Sequence, residues 1–347
     1  MSLRRCTSVW VAMPESSTDS VVSARAPGKL VFLGEYAVLN GAPAVVGAVD
    51  RYAVGTRRAA RSWTVAATKR DWPEIAFTPG TDPLPDGPLQ LVCGLLSVMA
   101  CAGHVDAQQP QNVQIDSSAL FAGQGKLGLG SSAAVLVACH RCFAPDVNRI
   151  DAFEQIDHAH RQCQQGLGSG LDVAAALAGG LTVFQRGDAV SIRDAALPVG
   201  VHWCAVYTGK SVSTGHFLNR LEHWRASHRA HFDEHMRALG DLAHAGVRAL
   251  EKDDGATFCT VAGEYGAAMA RLGKAARINI QSDEHTELRR LAVAHGVTYK
   301  PSGAGGGDVG LAFTQSAEAM ARFQHAVRSG QSGFSLLSLG LAKRSAK

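Results

Sequence analysis

The run Gly125-Lys126-Leu127-Gly128-Leu129-Gly130-Ser131-Ser132-Ala133-Ala134 carries the clearest chemistry in this sequence. Glycines let a backbone approach a ligand, and the alanine-rich helix expected to follow offers unpaired N–H groups and the positive end of its dipole, so the pattern predicts a phosphate-binding loop. It is not a P-loop: Gly125 and Gly130 have the spacing, but Ser131 stands where that motif has lysine. The overlapping Gly123-Gln124-Gly125-Lys126-Leu127-Gly128 satisfies G-x-G-x-x-G, yet no parallel-strand rhythm precedes it and Asp151 lies too far on to serve a dinucleotide. Two charged residues elsewhere could act on a bound phosphate. Lys29 follows Ala26-Pro27-Gly28 on an apolar strand, and Asp172 stands at the entrance of a small-residue helix after Ser169-Gly170-Leu171. Taken singly, each has an ordinary explanation, a solvated lysine and a first-turn carboxylate favoured by the helix dipole. A further cluster, from Lys300-Pro301-Ser302 through Gly303-Ala304-Gly305-Gly306-Gly307 to Asp308, has four glycines in five positions and points to backbone passing close to something.

Two patterns suggest a metal instead. His231-Phe232-Asp233-Glu234-His235 matches H-x-x-E-H, which sets two imidazoles on one helix face beside a carboxylate. Six histidines fall between His216 and His244 among Glu222, Arg225, Arg229 and Arg237, so a solvated, histidine-rich face explains the match equally simply. Cys139 and Cys142 are one helical turn apart with no second pair, which is the spacing of packing rather than of a zinc site.

The elements that must position these residues follow from patterning over 347 residues, a length that suggests about two domains. With 46% hydrophobic and 18% charged residues the chain is too apolar for disorder and too mixed for a coiled coil. It has no apolar run long enough to span a membrane, and residues 8–13 are thin for a signal-peptide core, so a cytoplasmic protein with reduced thiols at its eight cysteines is expected. A net charge of +4 without a basic block argues against nucleic acid and suits a small anionic substrate. Residues 1–20 read as a flexible arm. Strands are expected at 29–33, 44–49, 52–57, 63–68, 74–77 and 112–116, and helices around 91–99, 131–142 and 151–164, with a strand at 181–185 closing a domain of 21–198. A strand at 201–208 opens a second domain, 199–347, dominated by helices near 215–225, 228–250, 256–272 and 283–295, then a strand at 308–313 and a helix at 317–328.

Three segments together, Ala26-Pro27-Gly28-Lys29-Leu30 with Gly34-Glu35-Tyr36-Ala37-Val38-Leu39, then Gly128 to Ala134, then Ser302 to Gly307, resemble in order and separation the three motifs of the GHMP kinases. Within them the sequence looks most like the phosphomevalonate kinases, through Lys126, the Gly168-Ser169-Gly170-Leu171-Asp172 segment, Thr208-Gly209-Lys210-Ser211 followed by Ser213-Thr214, and Lys300 to Asp308. The resemblance implies an α+β fold of two domains, the second ferredoxin-like, with the active site between them, and an ATP- and Mg²⁺-dependent transfer to phosphomevalonate by a monomer or homodimer. Lys126, Gly128, Leu129, Gly130, Ser131, Ser132 and Ala133 would then bind the nucleotide, with Ser131 or Ser132 on Mg²⁺. Lys29 and Asp172 would be catalytic and, with Ser169, Gly170, Lys210, Ser213, Thr214, Ser302, Gly303, Ala304 and Gly305, would line the acceptor; Lys126, Lys210 and Lys300 are the candidate cations for its phosphate and carboxylate. Mevalonate kinases carry a Mg²⁺-binding glutamate about eleven residues before the aspartate, where this chain has Arg161, which speaks against mevalonate as acceptor. A mevalonate kinase-like enzyme and an inactive binding protein of the same fold are the alternatives.

Overall fold

The computed structural model describes residues 20–345 except 69–71, 123–124, 164–167, 212–213 and 331–332; the expected arm at 1–20 lies, but for Ser20, outside them. The first half builds a seven-stranded sheet from β1 (Val22–Leu33), β2 (Ala44–Ala59), β3 (Thr64–Ala67), β4 (Ile75–Ala76), β5 (Gln111–Asp116), β8 (Leu181–Arg186) and β9 (Val190–Ala195), beside a short hairpin of β6 (Phe121–Ala122) and β7 (Gly125–Lys126). Its order is β4-β3-β5-β2-β8-β9, with β1 on the other edge of β2. β2 is one sixteen-residue strand where the sequence pattern suggests two, because an irregularity opposite Pro27 and Gly28 absorbs Asp50 and Arg51 without ending the pairing.

Helices α2 (Ser131–Phe143) and α4 (Leu171–Ala178) pack on this sheet, and α1 (Gln90–Cys101) and α3 (Arg149–Cys163) pack against them. Val31, Val46, Val113 and Ile115 meet Leu95, Leu136, Phe153 and Val173 in a dry core. Cys93, Cys139 and Cys142 are free thiols within it, and burial pushes the Cys93 thiol up to about 12. They are packing residues, and among the described residues no three His, Cys, Asp or Glu side chains are grouped to hold a metal ion.

The second half runs β10 (His202–Tyr207), α5 (Thr214–Ser227), α6 (Arg229–Glu251), α7 (Gly255–Ala276), α8 (Asp283–Ala294), β11 (Thr298–Pro301), β12 (Val309–Thr314), α9 (Ala317–Ser329) and β13 (Ser335–Leu337). Its antiparallel sheet has the order β11-β12-β10-β13, in which the first strand lies between the third and the fourth, as in a ferredoxin-like fold. The two layers share a core: Phe32 of β1 stacks edge-on to Trp203 at 5.2 Å and tilts against Phe313 at 5.6 Å. The chain's end then returns to the first sheet, where Ala342 N–H donates to Ala48 O at 2.9 Å and Ser345 N–H to Ala178 O at 2.9 Å. Residues 340–345 have no periodicity, so the sequence pattern leaves them with the second half. Among the described residues no helix is long and apolar enough to cross a membrane.

Candidate active site

A cavity of ≈ 830 Å³ lies between the two layers, and the three glycine-rich segments meet around it. The first contact is backbone on backbone. Lys29 N–H donates to Leu129 O at 2.8 Å, and a side chain on Gly28 would stand 2.8 Å from that same oxygen, so glycine is required for β1 to lie against the second segment. Gly130 then turns left-handed at φ 68° and starts α2 with no side-chain cap, leaving the first N–H groups of the helix open to the cavity.

Asp172 is presented in the same way. It lies in the first turn of α4, whose N-cap, Gly170, is also left-handed at φ 86° and supplies no side-chain cap. A Cβ on Gly130 would lie 2.9 Å from Lys29 Cε and 3.5 Å from Asp172 Oδ2, so the loop, the ammonium and the carboxylate share one spot. Lys29 Nζ stands 3.3 Å from Asp172 Oδ1, with the lysine side chain 11% and the aspartate 31% exposed. Beside them, Ser132 Oγ is within 3.1 Å of His160 Nε2, and burial draws the His160 pKa down against the opposing pull of Asp172 and Asp157.

The third segment is fastened to the first. Val31 N–H donates to Ser302 Oγ at 2.9 Å, the Tyr36 hydroxyl donates to Ala304 O at 2.5 Å, and Gly303 N–H donates to Glu35 Oε1 at 3.3 Å. Asp308 closes over the second segment, because a Cβ on Gly128 would fall 2.7 Å from that of Asp308. From below, buried His285 accepts from the Tyr299 hydroxyl at Nδ1 (2.8 Å) and donates from Nε2 to Gly307 O (3.0 Å). Burial pulls its pKa down to about 4, so the ring is neutral and suits one donor and one acceptor.

Most of the residues expected at the site line the cavity: Lys29, Lys126, Gly128, Leu129, Gly130, Ser131, Ser132, Ser169, Gly170, Asp172, Ser302, Gly303 and Ala304. Others do not. Ala133 is buried in the first core and reaches the site only through its backbone, and Gly305 is packed against the Ile280 backbone. Lys300, a candidate for holding the substrate's anionic groups, is corrected by the structure: it is wholly buried, 2.5 Å from Glu35 Oε1, and also donates to Pro301 O at 2.6 Å. Its position before Pro-Ser-Gly suggests a loop, whereas β11 carries it inward beneath Tyr265. Lys210 is exposed, pairs with Glu284 at the start of α8 and is not among the cavity's walls; that ammonium draws the Glu284 pKa down to about 2. Ser213 lies outside the described residues, and of Thr214 only its place as the first residue of α5 is described. His231 and His235 sit on α6, where His235 rests 6.1 Å from the Trp224 ring and burial lowers its pKa.

Glu35, His160, Asp157 and Arg161 also line the cavity, and sequence reasoning gives none of the first three a role. For Glu35 there was a signal, a lone carboxylate inside the apolar stretch from Leu30 to Leu39.

This is the fold of the GHMP kinases, and the chain is a phosphotransferase. In sequence it is similar to the phosphomevalonate kinase of Streptomyces sp. (strain CL190), 29% identical over 83% of this chain and 88% of that protein. It is also similar to the mevalonate kinase of Thermococcus sibiricus, 25% identical over 67% and 68%. Its fold matches that of Streptococcus pneumoniae phosphomevalonate kinase, solved in complex with phosphomevalonate and AMPPNP, with a TM-score of 0.78 at 19% identity over 92% of this chain and 99% of that one. No family model matches the chain.

Proposed function

We propose that the chain transfers the γ-phosphoryl group of ATP to the phosphate of 5-phosphomevalonate, giving 5-diphosphomevalonate and ADP in the mevalonate route to isoprenoid precursors. The observation that carries this reading is the junction of Lys29, Asp172 and the uncapped start of α2 within one cavity. Phosphoryl transfer asks mainly for alignment and charge neutralisation, which fixed N–H dipoles and an ammonium supply without reorganising. The N–H groups after Gly130, with Gly128 and Leu129, would cradle the nucleotide's phosphates, and Lys29 would bridge the transferred group and the attacking oxygen. An acceptor phosphate with a second pKa near 6 is already largely deprotonated at pH 7, so Asp172 holds Lys29 and orients the acceptor more than it removes a proton.

The hydroxyls of Ser131 and Ser132 at the cavity wall are hard oxygen donors, and they fit a Mg²⁺ bound mostly through phosphates and water. Bound there, Mg²⁺ would neutralise charge on the β- and γ-phosphates. Ser169, Ser302 and Arg161 also border the cavity; Arg161 and Lys126 stand in its wall among the carboxylates of Asp157, Asp172 and Asp308, and these two cations are the groups an acceptor phosphate would meet. The similarity to mevalonate kinases keeps mevalonate as the second reading. Coupled ADP release with phosphomevalonate, mevalonate, diphosphomevalonate, homoserine and galactose, side by side, separates them: turnover confined to phosphomevalonate supports the proposal, and faster turnover of mevalonate replaces it.

A further inference from the structure

Arg186, the last residue of β8, grips the loop that delivers Asp172. Its Nε donates to Ser169 O at 3.1 Å, and its terminal nitrogen pairs with Asp157 Oδ2 at 2.6 Å. The guanidinium carbon lies 5.5 Å from the centre of the Phe153 ring. Asp157 comes from α3 and is buried, and among the described residues its second oxygen, Oδ1, accepts no hydrogen bond. That oxygen is used as a wall. A Cβ on Gly170 would stand 2.6 Å from Asp157 Oδ1 and 2.7 Å from the Arg186 nitrogen, so the residue that starts α4 is wedged against both members of the pair.

A pair in which Asp157 is buried, Arg186 is half-buried and one carboxylate oxygen has no partner among the described residues is a poor way to gain stability, since desolvating the carboxylate offsets much of the attraction. The forked, planar guanidinium is instead well suited to fixing two oxygens at a set separation. Here those oxygens belong to α3 and to the residue three positions before Asp172. We propose that Arg186, oriented by Asp157, is a positioning residue for phosphoryl transfer: by holding the Ser169 carbonyl and the wall behind Gly170 it sets Asp172 beside Lys29. The proposal rests on the phosphotransfer reading of the main cavity.

A second cavity of ≈ 620 Å³, bordered by Phe153, Asp157, Arg161 and Arg186, adjoins the first. It makes a specific test possible. Removing the Arg186 side chain leaves room beside Phe153 and Asp157 for a free guanidinium ion to enter from this groove. Arg186→Ala is expected to lower kcat about tenfold, and by no more than Asp172→Asn does, through misplacement of Asp172 while leaving the KM for ATP unchanged. Millimolar guanidinium should restore most of the lost kcat. Arg186→Lys, which keeps the charge and loses the fork, should stay well below wild type and gain nothing from the added ion.

Hydrogen exchange supplies a readout independent of turnover. Amides 168–173 should exchange faster in Arg186→Ala and slow again with guanidinium, the rest of the chain being unchanged. The proposal is overturned if exchange at 168–173 matches wild type, or if activity falls only in step with the folded fraction and guanidinium rescues nothing. If Arg186→Ala does not fold, Arg186→Lys carries the same exchange measurement. A wild-type protein that transfers phosphate to no acceptor would defeat the functional reading, and the exchange experiment would still decide the role of Arg186.

Discussion

Two lysine–carboxylate pairs belong to the same cleft and are built for different purposes. Lys300 and Glu35 are sealed, 0% and 3% exposed and 2.5 Å apart, and they join β11 to the turn after β1. Lys29 and Asp172 stand 3.3 Å apart at the surface of the cavity, each still reachable by a ligand. In the first pair burial lowers the Lys300 pKa against the opposing pull of the neighbouring carboxylate, so the Lys300 charge depends on Glu35 being present. The second pair is only partly desolvated, and a phosphate entering the cavity can compete for the ammonium. One chemistry, an ammonium beside a carboxylate, thus gives a rivet in one place and a working contact a few residues away along β1.

Helix starts differ from one another as well. Helices α7, α8 and α9 are capped by their own side chains, Asp254 accepting from Thr257 N–H at 2.9 Å, Ser282 from His285 N–H at 3.4 Å and Ser316 from Ala319 N–H at 3.1 Å. Helices α2 and α4, which face the cavity, begin at left-handed glycines; α2 has no side-chain cap, while at α4 Ser169 Oγ accepts from Leu171 N–H at 3.3 Å. Helices α1 and α6 also start without a side-chain cap, at Leu89 and His228, so an open helix start serves a ligand only where it meets the cavity, as at α2.

The contrast between the pairs can be broken from either side. Asp172→Asn should lower kcat by roughly 10² to 10⁴ if the carboxylate acts as a base and less if it only orients, with thermal unfolding close to wild type. Steady-state kinetics beside a melting curve read both. Glu35→Ala should do the reverse, costing about 3–5 kcal/mol of stability by stranding the Lys300 charge. Replacing both Glu35 and Lys300 by leucine and methionine should recover much of that loss in urea unfolding, and a double variant no better than the single would mean the pair is not a coupled unit.

His285 gives a smaller, pH-dependent effect. Its folded pKa of about 4 lies below the ordinary value of 6.5, so between those limits the unfolded chain binds a proton that the folded chain refuses. Its contribution is complete above pH 6.5 and is lost as pH falls toward 4. Unfolding midpoints across that range should flatten in His285→Gln relative to wild type; His140, lowered likewise to about 4, sets the slope that remains. Least affected is Lys210→Ala, which removes a solvent-exposed ammonium and should leave thermal unfolding close to wild type. Its acceptor KM should stay near wild type, whereas Lys126→Ala, at the cavity wall, should raise the KM of an anionic ligand by about tenfold.

Much of this was legible in the residues. Glycine clusters announce left-handed turns and close approaches, and Gly28, Gly128, Gly130 and Gly170 all prove to have something packed where a side chain would be. Helical periodicity marks α1, α6 and α9 to within a few residues. β9, β11 and β13 were not legible, since short strands of mixed burial lack both periodicity and composition. Lys300 was misjudged for a physical reason: a lysine beside Pro-Ser-Gly suggests solvent, and only the fold brings Glu35 from 265 residues away to stabilise it in the core. The grip of Arg186 on Ser169 depends equally on tertiary placement, which no local pattern encodes.

The most direct test is to follow ³¹P resonances of a mixture of the protein, MgATP and phosphomevalonate. ADP and a new diphosphate on the acceptor should grow together at equal rates, and both rates should fall together with Asp172→Asn. Release of inorganic phosphate alone, or transfer that survives the loss of both Lys29 and Asp172, would contradict the assignment of this cleft as the phosphoryl-transfer site.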